Sequence, residues 1–281
     1  MIPTSFEYSR AKSVGEAIKM LSDGGAQALA GGHSLLPAMK LRLNQPDRLV
    51  DIGRIPELKY IRREGDKLII GAATTHHEIA SSAEVKAAIP MLAAGAGHIG
   101  DPAVRNKGTI GGSLAHADPA ADWPAMMLAV KARIELTNDK GNYTVAADDF
   151  FVGFYMTALK EGELITAIHI PIPDGDYRSA YAKFEQPASR FAIVGCAAMA
   201  NVSGGNFSDV RIGFTGVADA AFRDGGLEAA LNGQPATAAT IDAAVAKAAA
   251  GAEMLEDHYA SAKYRAHLAR VYAKRALMAL I

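Results

Sequence analysis

Apolar positions in the first fifty residues come in short bursts separated by glycine and proline, and they predict strand, helix, strand. Ala17, Ile18, Met20 and Leu21 fall on one face of a helix. Ser13 and Glu16 open it as an S-x-x-E capping box, and Gly24-Gly25 closes it. Residues 26–30 form the kind of apolar run that a buried strand shows, and Gly31-Gly32-His33-Ser34 turns the chain. Residues 35–43 predict a second helix with Pro37 near its start, Pro46 ends it, and residues 49–52 read as another strand.

From residue 60 the pattern changes. Residues 60–63 and 67–72 flank Glu64-Gly65-Asp66, and residues 133–137 and 143–147 flank Asn138-Asp139-Lys140-Gly141-Asn142, so both pairs read as hairpins. An Ala-rich helical stretch covers 83–94, a second helical pattern covers 123–130, and 164–170 is a strand. Two prolines and Gly175 interrupt the pattern over 171–176, the best boundary in the chain. Beyond it, residues 178–184, 192–202 and 210–217 read as strands, with Ser203-Gly204-Gly205-Asn206 between the last two. Residues 241–256 and 261–280 read as helices, the latter with Tyr264, Leu268, Val271, Tyr272 and Leu277 near one face. Strands followed by helices predict a small α+β domain. The organisation expected is therefore residues 1–175, dividing at about residue 56, and then residues 176–281.

Composition narrows the function classes. Half of the 281 residues are hydrophobic and 21% are charged, which predicts a packed core. Lys plus Arg number 29 and Asp plus Glu 30, a balance with no field to hold nucleic acid or an anionic membrane. A single cysteine excludes a disulfide framework, a multi-Cys zinc site and any iron–sulfur cluster ligated by this chain alone, and it suits a reducing cytoplasm. Residues 1–10 lack the pattern of a targeting segment, with Glu7 where positive charge is needed. The longest charge-free stretch, 191–208, is broken by Asn201, Ser203, Gly204, Gly205 and Asn206, short of the roughly 20 apolar residues of a membrane helix. A soluble intracellular protein is expected.

Two glycine-rich stations carry the candidate chemistry. The first is Ala30-Gly31-Gly32-His33-Ser34-Leu35, at a strand-to-helix corner. The second is Gly108-Thr109-Ile110-Gly111-Gly112-Ser113, between irregular chain and a helix. Glycine lets the backbone approach a ligand closely, and successive amides at such corners can cradle a phosphate. Ser34, Thr109 and Ser113 add hydroxyl donors. Either station alone reads as well as a tight turn. The pair together suits a diphosphate, one corner per phosphate. No G-x-x-x-x-G-K-[ST] loop occurs, and the G-x-G-x-x-G of Gly95, Gly97 and Gly100 is a decoy, because it follows a helical pattern and precedes Asp101-Pro102. His116, Asp118 and Asp122 leave three readings open: helix caps, a metal site short of a fourth ligand, or a ribose or flavin contact. Cys196 reads as a buried inert thiol, and His76-His77 as surface or capping residues beside a strand.

The strings Ala30-Gly31-Gly32-His33-Ser34-Leu35-Leu36-Pro37-Ala38-Met39-Lys40 and Arg105-Asn106-Lys107-Gly108-Thr109-Ile110-Gly111-Gly112-Ser113-Leu114-Ala115-His116-Ala117-Asp118-Pro119-Ala120-Ala121-Asp122, with Ser261-Ala262-Lys263-Tyr264-Arg265 near the end, resemble one family. It is the FAD-binding medium subunit of molybdenum hydroxylases, which includes carbon monoxide dehydrogenase and xanthine dehydrogenase. The likeness covers essentially the whole chain. It implies an α+β fold: a two-subdomain FAD-binding domain of the vanillyl-alcohol oxidase (PCMH) type, then a small C-terminal domain with a three-stranded antiparallel sheet and helices. It implies that Ala28, Leu29, Ala30, Gly31, Gly32, His33, Ser34 and Leu35, with Thr109, Ile110, Gly111, Gly112 and Ser113, surround the FAD diphosphate and ribityl chain. Asp122 and Lys183 match cofactor contacts, Ile99 and Ile165 match apolar contacts, and Phe191 matches a position near the isoalloxazine. The carbon monoxide enzyme carries a tyrosine there, preceded by an acidic residue in place of Arg190. Lys183 is expected near the N1–C2=O edge of the flavin, where it would favour the anionic reduced ring.

The function implied is that of a cytoplasmic electron-transfer oxidoreductase subunit. FAD sits on this chain, a small partner subunit carries [2Fe–2S] clusters, and a large one carries the molybdenum cofactor. The assembly implied is a dimer of heterotrimers, a heterohexamer, with NAD⁺, a quinone or oxygen as terminal acceptor. No catalytic acid–base pair, metal site, nucleic-acid partner or membrane span is expected on this chain. One alternative is a self-contained FAD-dependent oxidase or dehydrogenase of the vanillyl-alcohol oxidase type. It would need a substrate pocket and proton-handling groups, and no obvious set is present. A non-catalytic nucleotide-binding scaffold is the other.

Overall fold

The computed structural model describes residues 2–281. The first unit runs β1 (Glu7–Arg10), α1 (Val14–Leu21), β2 (Ala26–Leu29), α2 (Leu35–Lys40) and β3 (Arg48–Asp51). Its three strands are parallel, with β3 in the middle. Ser13 Oγ accepts from the Glu16 N–H as expected of an N-cap, while the Glu16 carboxylate takes the Lys12 N–H. Helix α2 is shorter than the 35–43 expected from the sequence, because the chain turns at Leu41 and Arg42 enters the left-handed region.

The next unit contains β4 (Ile61–Glu64), β5 (Lys67–Gly71), α3 (His76–Ser81), α4 (Ala83–Ala88), α5 (Pro90–Gly97), α6 (Pro102–Arg105), α7 (Ile110–His116) and α8 (Asp122–Ala129). It continues with β6 (Arg133–Asn138), β7 (Gly141–Ala146), α9 (Ala147–Phe150), β8 (Phe151–Gly153), β9 (Met156–Thr157) and β10 (Leu164–Pro171). Both expected hairpins are present and join β10 in a five-stranded antiparallel sheet of order β4-β5-β10-β6-β7. Four local readings need correction. The stretch 83–94 is two helices, since Pro90 removes an N–H and Ile89 leaves the helical region. Asp101-Pro102 does open a helix, the one-turn α6, with the Asp101 carboxylate on the Val104 N–H. His76 and His77 lie on α3, capped by a Thr75–Glu78 box, and not on a strand. The second glycine station lies within the first turns of α7, with Thr109 as its N-cap.

The last unit holds β11 (Tyr177–Glu185), β12 (Ala192–Ser203), β13 (Asn206–Thr215), β14 (Phe222–Arg223), α10 (Gly225–Leu231), α11 (Ala238–Val245) and α12 (Ala262–Met278). The three expected strands form an antiparallel sheet, and the two-residue β14 adds an edge that no alternation announces. The helix read over 241–256 begins earlier and ends at Val245. Strand β12 is buried on both faces, which explains why it reads as a continuous apolar run. Ala197 and Met199 pack into the core that contains Trp123 and Phe150, whereas Cys196, Ala198 and Ala200 pack under α12. A Cβ on Gly213 would lie 2.2 Å from the Ala125 carbonyl oxygen, so α8 rests directly on the C-terminal sheet. Thr215 Oγ1, 2.7 Å and 2.6 Å from the Pro119 and Ala121 carbonyl oxygens, fixes the loop entering α8.

Candidate functional site

The two glycine stations touch. A Cβ on Gly31 would lie 2.0 Å from the Lys107 carbonyl oxygen and 2.9 Å from Gly108 Cα, so the corner can approach only because residue 31 has no side chain. Gly32, at φ +74°, turns the chain into α2. Gly111 presses on the residue that follows β5: its Cβ would meet Ala72 Cβ at 2.6 Å, and its N–H donates to the Ala72 carbonyl at 2.9 Å.

Beside this junction lies a cavity of about 1310 Å³, larger than the roughly 300–1,000 Å³ of ordinary small-ligand pockets. Ala28, Leu29, Ala30, Gly31, Gly32, His33, Ser34 and Leu35 line it, as do Thr109, Gly111, Gly112, Ser113, Ile99, Asp122, Ile165 and Phe191. Two sequence-derived candidates do not. Ile110 is fully buried in the core on the far side of α7, as its place in an apolar helical stripe requires. Lys183 is also outside the lining.

The stations divide their work differently from the one-corner-per-phosphate expectation. The N–H groups of Gly31, Gly32, His33, Ser34 and Leu35 make no hydrogen bond among the described residues. Backbone donors left unpaired beside a cavity need water or a ligand as acceptor. At the second station all but the Thr109 donor are already used: Gly108 on the Val104 carbonyl, Ile110 on the Thr74 carbonyl, Gly111 on Ala72, Gly112 on Thr109 Oγ1 and Ser113 on the Thr109 carbonyl. The first corner therefore supplies most of the amides, and the second supplies clearance, the Thr109 N–H and the hydroxyls of Thr109 and Ser113.

Around this centre three side-chain groups shape the walls. His76 Nδ1 accepts from Trp123 Nε1 at 3.1 Å. Burial first, then the nearby His33 and Arg105, drop the His76 imidazole from 6.5 to about 3, so it is neutral. His116, Asp118 and Asp122 do not converge. Asp118 takes the Ala120 N–H at 2.8 Å and the Tyr155 hydroxyl at 2.9 Å, and the His116 and Tyr155 rings stand 5.0 Å apart. Burial pushes the His116 imidazole down and, with Asp118, the Tyr155 hydroxyl up. Among the described residues no group of three or more His, Cys, Asp or Glu is placed to hold a metal.

Asp122 caps nothing. It opens α8 fully buried, taking the Tyr181 hydroxyl at 2.5 Å and pairing with Lys183 Nζ at 3.0 Å. Burial pushes its carboxyl up, and Lys183 and Tyr181 offset this only in part. The Lys183 side chain is 3% exposed, so it is neither a solvated strand residue nor an open cation in the cavity. Cys196 is buried with its thiol pushed up, as an inert residue should be. Sequence reasoning missed the β8–β9 hairpin, whose Tyr155 (φ +54°) and Met156 close one wall, along with Lys160 to Leu164 beyond it. Strands of two and three residues carry no period to read.

Family comparison decides the class. Residues 4–173 match the FAD binding domain in molybdopterin dehydrogenase, and residues 179–280 match the CO dehydrogenase flavoprotein C-terminal domain. The chain belongs to the FAD-binding medium subunits of the molybdenum hydroxylases. The carbon monoxide dehydrogenase medium chain of Hydrogenophaga pseudoflava is 45% identical to this medium subunit over 281 residues, covering 99% of this chain and 98% of the relative. That of Afipia carboxidovorans is 40% identical over 279 residues, covering 99% and 97%. The solved carbon monoxide dehydrogenase from H. pseudoflava which lacks the Mo-pyranopterin moiety superposes at a TM-score of 0.96 with 46% identity, covering 100% of this chain and 98% of that one. Among the described residues no helix of this medium subunit is long and apolar enough to cross a membrane. The site suits FAD: five partnerless amides beside a cavity of dinucleotide size are what a diphosphate requires.

Proposed function

We propose that this chain is the electron-transfer flavoprotein of a cytoplasmic molybdenum hydroxylase complex. Electrons would arrive from [2Fe–2S] clusters on a small partner subunit and leave to a terminal acceptor, after substrate is oxidised at molybdenum on a large partner. The observation that supports this most directly is the docked pair of glycine stations with the open amides of Gly31 to Leu35. Those amides would hold the FAD diphosphate, with the hydroxyls of Ser34, Thr109 and Ser113 beside them. Leu29, Ile99 and Ile165 give apolar wall and keep water out, and Phe191 closes one end. Bound there, FAD supplies the redox chemistry, accepting and releasing electrons, while the protein contributes position and electrostatics. Clusters belong on a partner in this reading because Cys196, the one cysteine, is buried.

Co-purification from the native source tests the proposal. Flavin absorption bands accompanied by iron and molybdenum in a multi-subunit complex are expected. An isolated flavoprotein that oxidises a small alcohol by itself would establish the self-contained alternative instead.

A further inference from the structure

We propose that Lys183 is a positioning residue that clamps the β11–β12 turn over the cavity. The inference rests on the flavoprotein reading above for what the turn covers, and on hydrogen-bond geometry for the clamp. An ammonium has three N–H groups. Lys183 Nζ donates to the His98 carbonyl at 2.9 Å, the Arg190 carbonyl at 2.7 Å and Asp122 Oδ2 at 3.2 Å. Three donors meet three acceptors, so the ammonium is fully engaged in holding these segments together.

Each acceptor belongs to a different wall. His98 precedes Ile99 and Gly100, Asp122 begins α8, and Arg190 precedes Phe191, and all but His98 itself face the cavity. Within the turn, Gln186 N–H reaches the Phe191 carbonyl at 2.9 Å, Arg190 N–H the Gln186 carbonyl at 2.8 Å, and Ser189 N–H Gln186 Oε1 at 2.5 Å; outward, Arg190 Nη1 reaches the Gly100 carbonyl at 3.4 Å and Ala192 N–H the Ala120 carbonyl at 3.1 Å. Arg190 sits at φ +61°, a region an L side chain holds only when its surroundings impose it. Arg190 is exposed, and Phe191 is 42% exposed, so packing does not impose it. The Lys183 bond to the Arg190 carbonyl, at 2.7 Å, is the shorter of the two links from this strained residue to the rest of the protein, the other being the 3.4 Å bond from its own guanidinium to Gly100, and the only one made by a buried side chain. Without it the turn can relax and carry the Phe191 ring away from the cavity.

Trypsin reads the clamp directly, since the Arg190–Phe191 peptide it cuts contains the carbonyl that Lys183 holds. The full chain is digested, and appearance of the fragment beginning at Phe191 is measured relative to cutting at Lys140–Gly141, in the distant β6–β7 turn. Lys183→Met should raise that ratio about ten-fold or more, as expected when a hydrogen bond from a charged donor is lost. General loosening would raise both cuts and leave the ratio unchanged. The double variant Asp122→Asn/Lys183→Met, which leaves no stranded carboxylate, should show the same raised ratio. An unchanged ratio in Lys183→Met overturns the proposal, and so does a double variant that returns to the parent ratio, because Lys183 would then be only a counter-ion for Asp122. Failure of both variants to fold would assign Lys183 to stability alone and also overturn it. Added FAD distinguishes the two readings. If the parent chain quenches flavin fluorescence on titration, the same variants should shift the bound flavin's visible absorption. If the parent takes up no FAD, the flavoprotein reading fails while the cleavage ratio still decides the clamp.

Discussion

Gly31→Ala is the sharpest test of the docked stations. The new Cβ would lie 2.0 Å from the Lys107 carbonyl oxygen, where ordinary contact begins at 3.4 Å, so the corner must retreat by the difference, 1.4 Å. Backbone conformation adds nothing, because Gly31 is not among the residues at positive φ. Forcing one methyl into a closed contact costs about 1–3 kcal/mol of folding stability. The larger effect falls on FAD. A retreat of that size takes the amides of residues 31–35 out of hydrogen-bond range of a diphosphate that the second station still holds. Loss of two charge-assisted bonds, at about 1.5–3 kcal/mol each, weakens binding on the order of 100-fold or more. Titration with FAD, followed by flavin fluorescence, and urea unfolding of the apo-protein give the two numbers separately. Gly15→Ala is the matched control: nothing lies within 4 Å of its Cβ, and it sits inside α1, so the change should stabilise by about 0.5–1 kcal/mol and leave FAD binding alone. If Gly31→Ala binds FAD as the parent does and unfolds at the same urea concentration, the close docking is not what the site depends on.

Two further predictions concern stability. His76, lowered from 6.5 to about 3, is neutral in the fold but takes up a proton in the unfolded chain as pH falls through 6.5, so acid weakens the fold. At 1.36 kcal/mol per unit this group costs about 2 kcal/mol between pH 7 and pH 5. His76→Gln keeps an acceptor for Trp123 and cannot protonate, so urea stabilities should lose that much of their pH slope, and identical slopes would contradict the assignment. Thr215→Val removes the hydroxyl between the buried Pro119 and Ala121 carbonyls. A loss of about 1–3 kcal/mol with an unchanged denaturant slope is expected from urea titration, and no loss would mean the loop entering α8 is held elsewhere.

Much of the fold was legible because its signals are short-range. Ser13 and Ser261 cap α1 and α12, and the turns at Gly65 and Asn138 to Gly141 lie where the alternating runs place them. Where the reading slipped, a neighbour in space outweighed local pattern. The glycines of the second station looked like loop, but they lie in α7 because Gly111 must fit against Ala72. Ile110 looked like part of a ligand loop, yet an apolar side chain on that helix packs inward.

The sequence by itself determined the glycine corners, the order of the longer strands, and the absence of cluster-binding cysteines, all properties of residue type and near-neighbour spacing. Tertiary structure alone decided which corner keeps its amides free, since that depends on Thr74 and Ala72 lying beside the start of α7. It also decided what Lys183 does, because two of its partners are 85 and 61 residues away. A side chain's charge is written in the chain, but which acceptors reach it first is set by packing.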